Sequence, residues 1–93
     1  MRQMKRTIQA TISSHASVLG RVADILAKRH LAIHRLTVER LIENDKLSCL
    51  ILETDVENLH QSEQLVRQFD KLIDVISVAD VTEKKLRTNV GFY

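Results

Sequence analysis

Apolar and polar residues alternate from Thr7 to Ser13, with Ile8, Ala10 and Ile12 on one face and Thr7, Gln9 and Thr11 on the other. That two-residue period predicts a strand with one buried face. The period then changes. Val18, Leu19, Val22, Ile25 and Leu26 recur at helical spacing, which predicts a helix from about Ser17 to His30. From Leu31 to Leu41 the strand pattern returns, with Ala32, Leu36 and Val38 on one face and Leu31, Ile33 and Thr37 on the other. Glu43-Asn44-Asp45-Lys46 is a polar turn of hairpin length. Leu47 to Thr54 reads as a third strand, and its Cys49-Leu50-Ile51-Leu52 centre is apolar toward both sides, so both are expected to be covered. Asn58, with Gln61 three residues on, has the spacing of a capping box. The second helix that follows carries Leu59, Leu65, Val66 and Phe69 as its inner stripe and ends at Asp70-Lys71. Val75 to Val81 predicts a fourth strand.

Strand, helix, strand, strand, helix, strand is the order of an α+β, ferredoxin-like βαββαβ fold, a four-stranded antiparallel sheet with both helices on one face. Such a sheet leaves its second face and an edge strand uncovered in a monomer. Both features favour self-association. Within the first helix, Gly20 costs about 1 kcal/mol relative to alanine, so a close-packed neighbour is expected there. Lys28, Arg29 and His30 stand in the last turn, where cations complement the helix dipole. Ser13, Ser14 and Ser17 are three candidate N-cap hydroxyls in the loop before it.

Composition narrows the function classes. Ninety-three residues fit one domain, and 44% hydrophobic with 28% charged residues is the balance of a soluble globular chain. No apolar run approaches the roughly 20 residues of a membrane span, and the basic Met1–Arg6 stretch lacks the apolar segment of a secretory signal. A single cysteine, Cys49, has no internal disulfide partner, which suits a reducing cytoplasm. It is expected to be buried and inert. No serine or cysteine stands in a nucleophile elbow. His30 and His34 are four apart, but the predicted helix ends between them, which argues against a metal pair. The predicted strands carry no aromatic residue to stack on a base, and a net charge of +2 is too small to indicate nucleic acid. The run Lys84-Lys85-Leu86-Arg87 reads as a solvated tail. What remains is a binding module. Free N–H groups where the Ser13–Ser17 loop enters the helix can hold a small carboxylate; the alternative is that Ser14 or Ser17 caps its own helix.

The residues also carry a resemblance. Val18-Leu19-Gly20-Arg21-Val22, Leu26, Lys28-Arg29-His30, Ile33 and Leu36-Thr37-Val38 resemble the ACT domain of the acetolactate synthase (acetohydroxyacid synthase) small subunit. Gln68-Phe69-Asp70-Lys71-Leu72-Ile73-Asp74-Val75-Ile76-Ser77-Val78 is similar to that family's helix-to-last-strand segment. The resemblance covers residues 6–82, with residues 1–5 as an N-terminal extension and 83–93 as a tail, as in the shorter single-domain forms. It implies a non-catalytic, cytoplasmic regulatory subunit with no cofactor of its own. Its implied partner is a large subunit holding thiamine diphosphate, FAD and magnesium, and ACT domains pair side by side into homodimers. Transferred to this sequence, the family's effector site falls on Ser14, Ser17, Val18, Leu19, Ala32 and Ile33. Valine-sensitive members carry an asparagine and, three residues on, a glycine where this chain has Ser14 and Ser17, and a second asparagine where it has Ala32. Those changes predict that valine feedback is weak or lost. The alternative function is a free-standing ACT-type sensor of another small amino acid that regulates a different enzyme.

Overall fold

Ile8, Ala10 and Ile12, which set the first alternation, are almost wholly withdrawn from solvent and form the floor of the core in a computed structural model that describes residues 3–83. They lie on β1 (Met4–Ser13), which begins inside the stretch read from sequence as an extension. The other elements are α1 (Ala16–Lys28), β2 (Ile33–Arg40), β3 (Leu47–Val56), α2 (Leu59–Asp70) and β4 (Val75–Asp80). The sheet has the order β2-β3-β1-β4 and every neighbouring pair is antiparallel. This is the ferredoxin-like arrangement that the element order predicts. Both helices pack on one face. Val18, Val22 and Leu26 of α1 and Leu65 and Phe69 of α2 close over Ile8, Ala10, Ile12, Leu50 and Leu52.

Local chemistry sets the helix ends, and the two helices differ. The Asn58 side chain accepts the Gln61 N–H at 2.8 Å, while Gln61 Oε1 accepts the Glu57 N–H at 2.7 Å. That reciprocal pair caps α2 as its sequence predicts. At α1 the N-cap is His15, one residue before Ala16, and no side chain caps it. The helix therefore starts earlier than the serine pattern suggests, and neither Ser14 nor Ser17 caps it. Its C-terminal end is also shorter than expected, because His30 takes a left-handed φ of 56°. The Leu31 N–H donates to the Leu26 carbonyl and the His30 N–H to the Ala27 carbonyl, a Schellman closure that turns the chain straight into β2. Gly20 is exposed and has nothing within 4 Å of the position a Cβ would take, so no close approach requires it.

Two bulges alter the faces. In β2 the register shifts between Ile33 and Arg35, so Ile33 pairs with Thr54 and shares the helix-covered side with Leu36 and Val38. Strict alternation puts Ile33 on the opposite face; the extra residue, His34, reverses it. A second shift, between Thr11 and Ile12, leaves Ile76 as the extra residue in β4. On β3, Leu50 and Leu52 are fully buried, but Cys49 and Ile51 on the other face are only partly covered. The expectation of a strand covered on both sides, and of a buried Cys49, therefore fails on that face. Leu59, expected in the inner stripe of α2, stands at its first turn and is half exposed. The Lys84–Arg87 run and the Phe92-Tyr93 end lie outside the described residues.

Candidate functional site

The six residues singled out as an effector site fall into two groups at opposite ends of α1. The first group surrounds its N-terminus. Ser14 is fastened to the β2–β3 turn: its N–H donates to the Lys46 carbonyl at 2.9 Å, and its hydroxyl reaches the Asp45 carbonyl at 3.0 Å and Ser48 Oγ at 2.7 Å. Ser17 is exposed in the first helical turn, Val18 is wholly buried in the core, and Leu19 packs partly against it. The Val18 N–H donates to the His15 carbonyl at 3.2 Å, so this donor, expected to face a ligand, is already engaged. Helix geometry leaves Ala16 and Ser17 as the first-turn N–H groups without an intrahelical acceptor. An open depression of about 620 Å³ lies here, lined by Ser13, Ser14, His15, Arg40, Lys46 and Leu47. With Arg40, Lys46 and the positive end of the helix dipole, this end favours an anion.

The second group, Ala32 and Ile33, follows the C-terminal turn of α1. The Ala32 carbonyl accepts the Thr54 hydroxyl at 2.5 Å and the Asp55 N–H at 3.3 Å. A smaller pocket of about 180 Å³ beside it is lined in part by Arg29, His30, Asp55, Glu57 and Gln61. His34 Nε2 lies 2.9 Å from Asp55 Oδ1, which pins the β2 bulge to β3. Ser14 is bonded beside Leu47 at one end of β3, and Ile33 pairs with Thr54 near the other. Seven extended residues separate those points, or about 23 Å. One chain therefore does not bring the two groups together.

A third cluster has no counterpart in the sequence reading. Asp80 accepts from Arg6 Nε at 2.8 Å, from Ser62 Oγ at 2.7 Å, and from both the Thr82 N–H at 3.0 Å and its hydroxyl at 2.6 Å. Burial pushes its carboxyl pKa up, but the bonds from Arg6, Thr82 and Ser62 outweigh that and hold it down at about 2. The Arg6 guanidinium is raised in turn, chiefly by its hydrogen bond to Asp80. Next to the cluster is an open cleft of about 370 Å³, walled by Leu59, Ser62, Val66 and Arg67. Within the cluster Arg6, Ser62, Asp80 and Thr82 satisfy one another, so the arrangement ties β1, α2 and β4 together and leaves Asp80 no role as a free base. The one sequence signal for it is Ser62, a hydroxyl on the inner side of an otherwise apolar stripe. Among the described residues no group of three or more His, Cys, Asp or Glu could hold a metal. No helix there is long and apolar enough to cross a membrane.

The family model described as "AHAS small subunit-like ACT domain" matches residues 8–77. The chain is 35% identical over 83 residues to the acetolactate synthase small subunit of Bacillus subtilis, covering 89% of this chain and 48% of that protein. It is also 35% identical over 85 residues to the probable acetolactate synthase small subunit of Archaeoglobus fulgidus, covering 89% and 51%. The chain thus spans about half the length of these relatives. Among solved structures, the acetolactate synthase small subunit of Thermotoga maritima superposes with a TM-score of 0.71 at 25% identity, over 83% of this chain and 47% of that one. The ACT domain of a Chlorobium tepidum GTP pyrophosphokinase gives 0.72 at 14% identity, covering 85% and 99%, which speaks to the fold alone.

Proposed function

The chain belongs to the AHAS small subunit-like ACT domain family, and from that premise we propose that it is a non-catalytic regulatory subunit of acetolactate synthase. In this role it binds the catalytic large subunit and raises its activity in branched-chain amino acid biosynthesis, in the cytoplasm. Thiamine diphosphate, FAD and magnesium belong to the large subunit. The observation that carries this reading is the family match over residues 8–77, supported by the two small-subunit relatives.

The separated half-sites support a homodimer as the working unit. Antiparallel, side-by-side pairing of two sheets through β2 carries the Ala32 end of one protomer toward the Ser14 end of the other. A small amino acid between them meets cations and a helix N-terminus on one side for its carboxylate. Valine is a poor fit. The Ser14 hydroxyl is already spent on Asp45 and Ser48, and Ala32 has no polar side chain to offer. Each hydrogen bond withheld from a buried ligand group costs about 1–3 kcal/mol, or roughly 5- to 150-fold in affinity.

The test is to mix this protein with the large subunit of its own organism and assay acetolactate formation with and without valine. Complex formation and stimulation with little valine inhibition are expected. No complex and no stimulation would overturn the subunit assignment. Strong valine inhibition would instead overturn the reading of the effector site. The converse experiment restores the missing groups: Ser14→Asn, Ser17→Gly and Ala32→Asn together are expected to raise valine affinity at least about 10-fold by calorimetry.

A further inference from the structure

β2 differs from every other strand. All eight of its residues are exposed, and on the helix-covered side Ile33, Leu36 and Val38 keep 48%, 40% and 38% of their surface in solvent. It is also an edge strand, bonded to β3 on one side only. Resting on the side-by-side dimer proposed above, we infer the register in which two copies of β2 pair: antiparallel, with Thr37 on the two-fold axis.

Hydrogen-bond parity limits the choices. The Leu41 N–H donates to the Leu47 carbonyl. Along an antiparallel pair this inward direction alternates, so Arg35, Thr37, Glu39 and Leu41 turn their backbone groups toward β3. Leu36, Val38 and Arg40 then turn theirs outward, free for a second strand. A two-fold pairing must place outward residues opposite outward residues, so its axis passes through one residue of β2 or between residues of like parity. Centring it on Leu36 sets Arg35 against Thr37 and leaves Arg35 and Glu39 without an opposite charge. Centring it on Val38 sets Leu36 against Arg40 and Thr37 against Glu39. Centring it on Thr37 sets Arg35 against the partner's Glu39, Leu36 against the partner's Val38, and Thr37 against the partner's Thr37, each pair but the last occurring twice. Only this last register makes opposite charges meet on one face and apolar side chains meet on the other. From Arg35 to Glu39 no two like charges fall opposite each other.

The same register makes the two groups converge, since Ile33, counted past the bulge residue His34, comes to lie opposite the partner's Arg40, the counterpart of the Arg40 that lines the depression beside Ser14. The edge is thus complementary to itself in charge, in apolar pattern and in hydrogen-bond direction. A second copy of this chain is the occupant that these three properties select.

Cysteine cross-linking reads the register directly. In the full chain carrying Cys49→Ser, Thr37→Cys places two thiols across a non-hydrogen-bonded pair, about 4.5 Å between Cα atoms, within disulfide reach. Rapid, near-complete dimer cross-linking on mild oxidation is expected for Thr37→Cys and at least 10-fold slower linking for Leu36→Cys and Val38→Cys. A charge swap tests the same pairing without sulfur. Arg35→Glu and Glu39→Arg alone are each expected to weaken dimerisation about 10-fold or more, and mixing the two variants is expected to recover a heterodimer. If the chain sediments as a dimer but Leu36→Cys or Val38→Cys links fastest, the register is overturned while side-by-side pairing stands. If it sediments as a dimer and none of the three links, pairing through β2 is overturned with the register. If the unmodified chain is a monomer at high micromolar concentration, the dimer reading itself falls.

Discussion

The two edges of the sheet carry the same kind of residue on the same face and treat it in opposite ways. On β4, Val75 keeps only 7% of its surface in solvent, Val78 packs against the core, and α2 lies against the strand. On β2, Ile33, Leu36 and Val38 face the same side but stay about half in solvent. The two helices, of 13 and 12 residues, thus cover the β4 edge more fully than the β2 edge. The polar chemistry divides in the same way. The end of β4 is closed within the chain by Asp80, Arg6, Ser62 and Thr82, whereas β2 presents Arg35 and Glu39 two residues to either side of Thr37. One edge is finished by its own chain, and the other is the edge assigned above to a second copy.

The largest effect expected from breaking this contrast comes from placing a charge on each edge in turn. Leu36→Lys puts two ammonium groups into the β2 interface in place of apolar contacts. At about 1.5 kcal/mol lost per copy, dimerisation weakens by about 100-fold or more, while the monomer keeps its fold. The same change at Val78 strikes a partly buried core neighbour. It is expected to cost about 2–3 kcal/mol of folding stability. Sedimentation and thermal unfolding of both variants separate the outcomes. Equal loss of stability in both would show that β2 is as much a part of the monomer core as β4.

Next in size is the lock on β4. The Asp80 carboxyl titrates at about 2 in the folded chain against an ordinary value of 3.8, so the native state binds fewer protons than the unfolded one between those values. Stability therefore rises with pH across that window. The contribution is fully present above about pH 5, lost as pH falls through 4 toward 2, and worth about 2 kcal/mol. Asp80→Asn is expected to lower stability by about that amount at pH 7 and to flatten the acid side of the profile. Urea unfolding measured from pH 2 to 7 checks both. A variant that unfolds at the same urea concentration as the parent at pH 7 would mean that the edge is closed by apolar packing alone.

These two edges were not equally legible in the sequence. The alternation of Ile8, Ala10 and Ile12 and the helical recurrence of Val18, Val22 and Leu26 report burial directly, so the six elements and their order follow from them. The lock on β4 joins residues 74 positions apart through Arg6 and Asp80, and no local pattern encodes such a pair. The faces of β2 depart from strict alternation for a local reason: one bulge residue, His34, moves Ile33 to the other side, and bulges are backbone events with weak side-chain signatures. α1 starts at Ala16, within a residue of the predicted Ser17, but uncapped, because Ser14 bonds across to the hairpin turn instead. The residues proposed as an effector site could be picked out by their resemblance to a family pattern. Their separation to opposite ends of α1 could not, because it depends on how the chain folds and not on local spacing.

The smallest expected effect tests whether the β2 edge acts alone. Gly20 sits on the exposed side of α1 with open space where a Cβ would go and no left-handed φ to preserve. Glycine in a helix interior costs about 1 kcal/mol relative to alanine, largely through the freedom it gives the unfolded chain. Gly20→Ala is therefore expected to raise monomer stability by about 0.5–1 kcal/mol in urea unfolding, with dimer affinity unchanged. If it stabilises folding but weakens dimerisation several-fold, the added methyl group meets a second protomer. The interface would then extend from β2 onto α1, and the glycine would owe its place to the partner rather than to the chain that carries it.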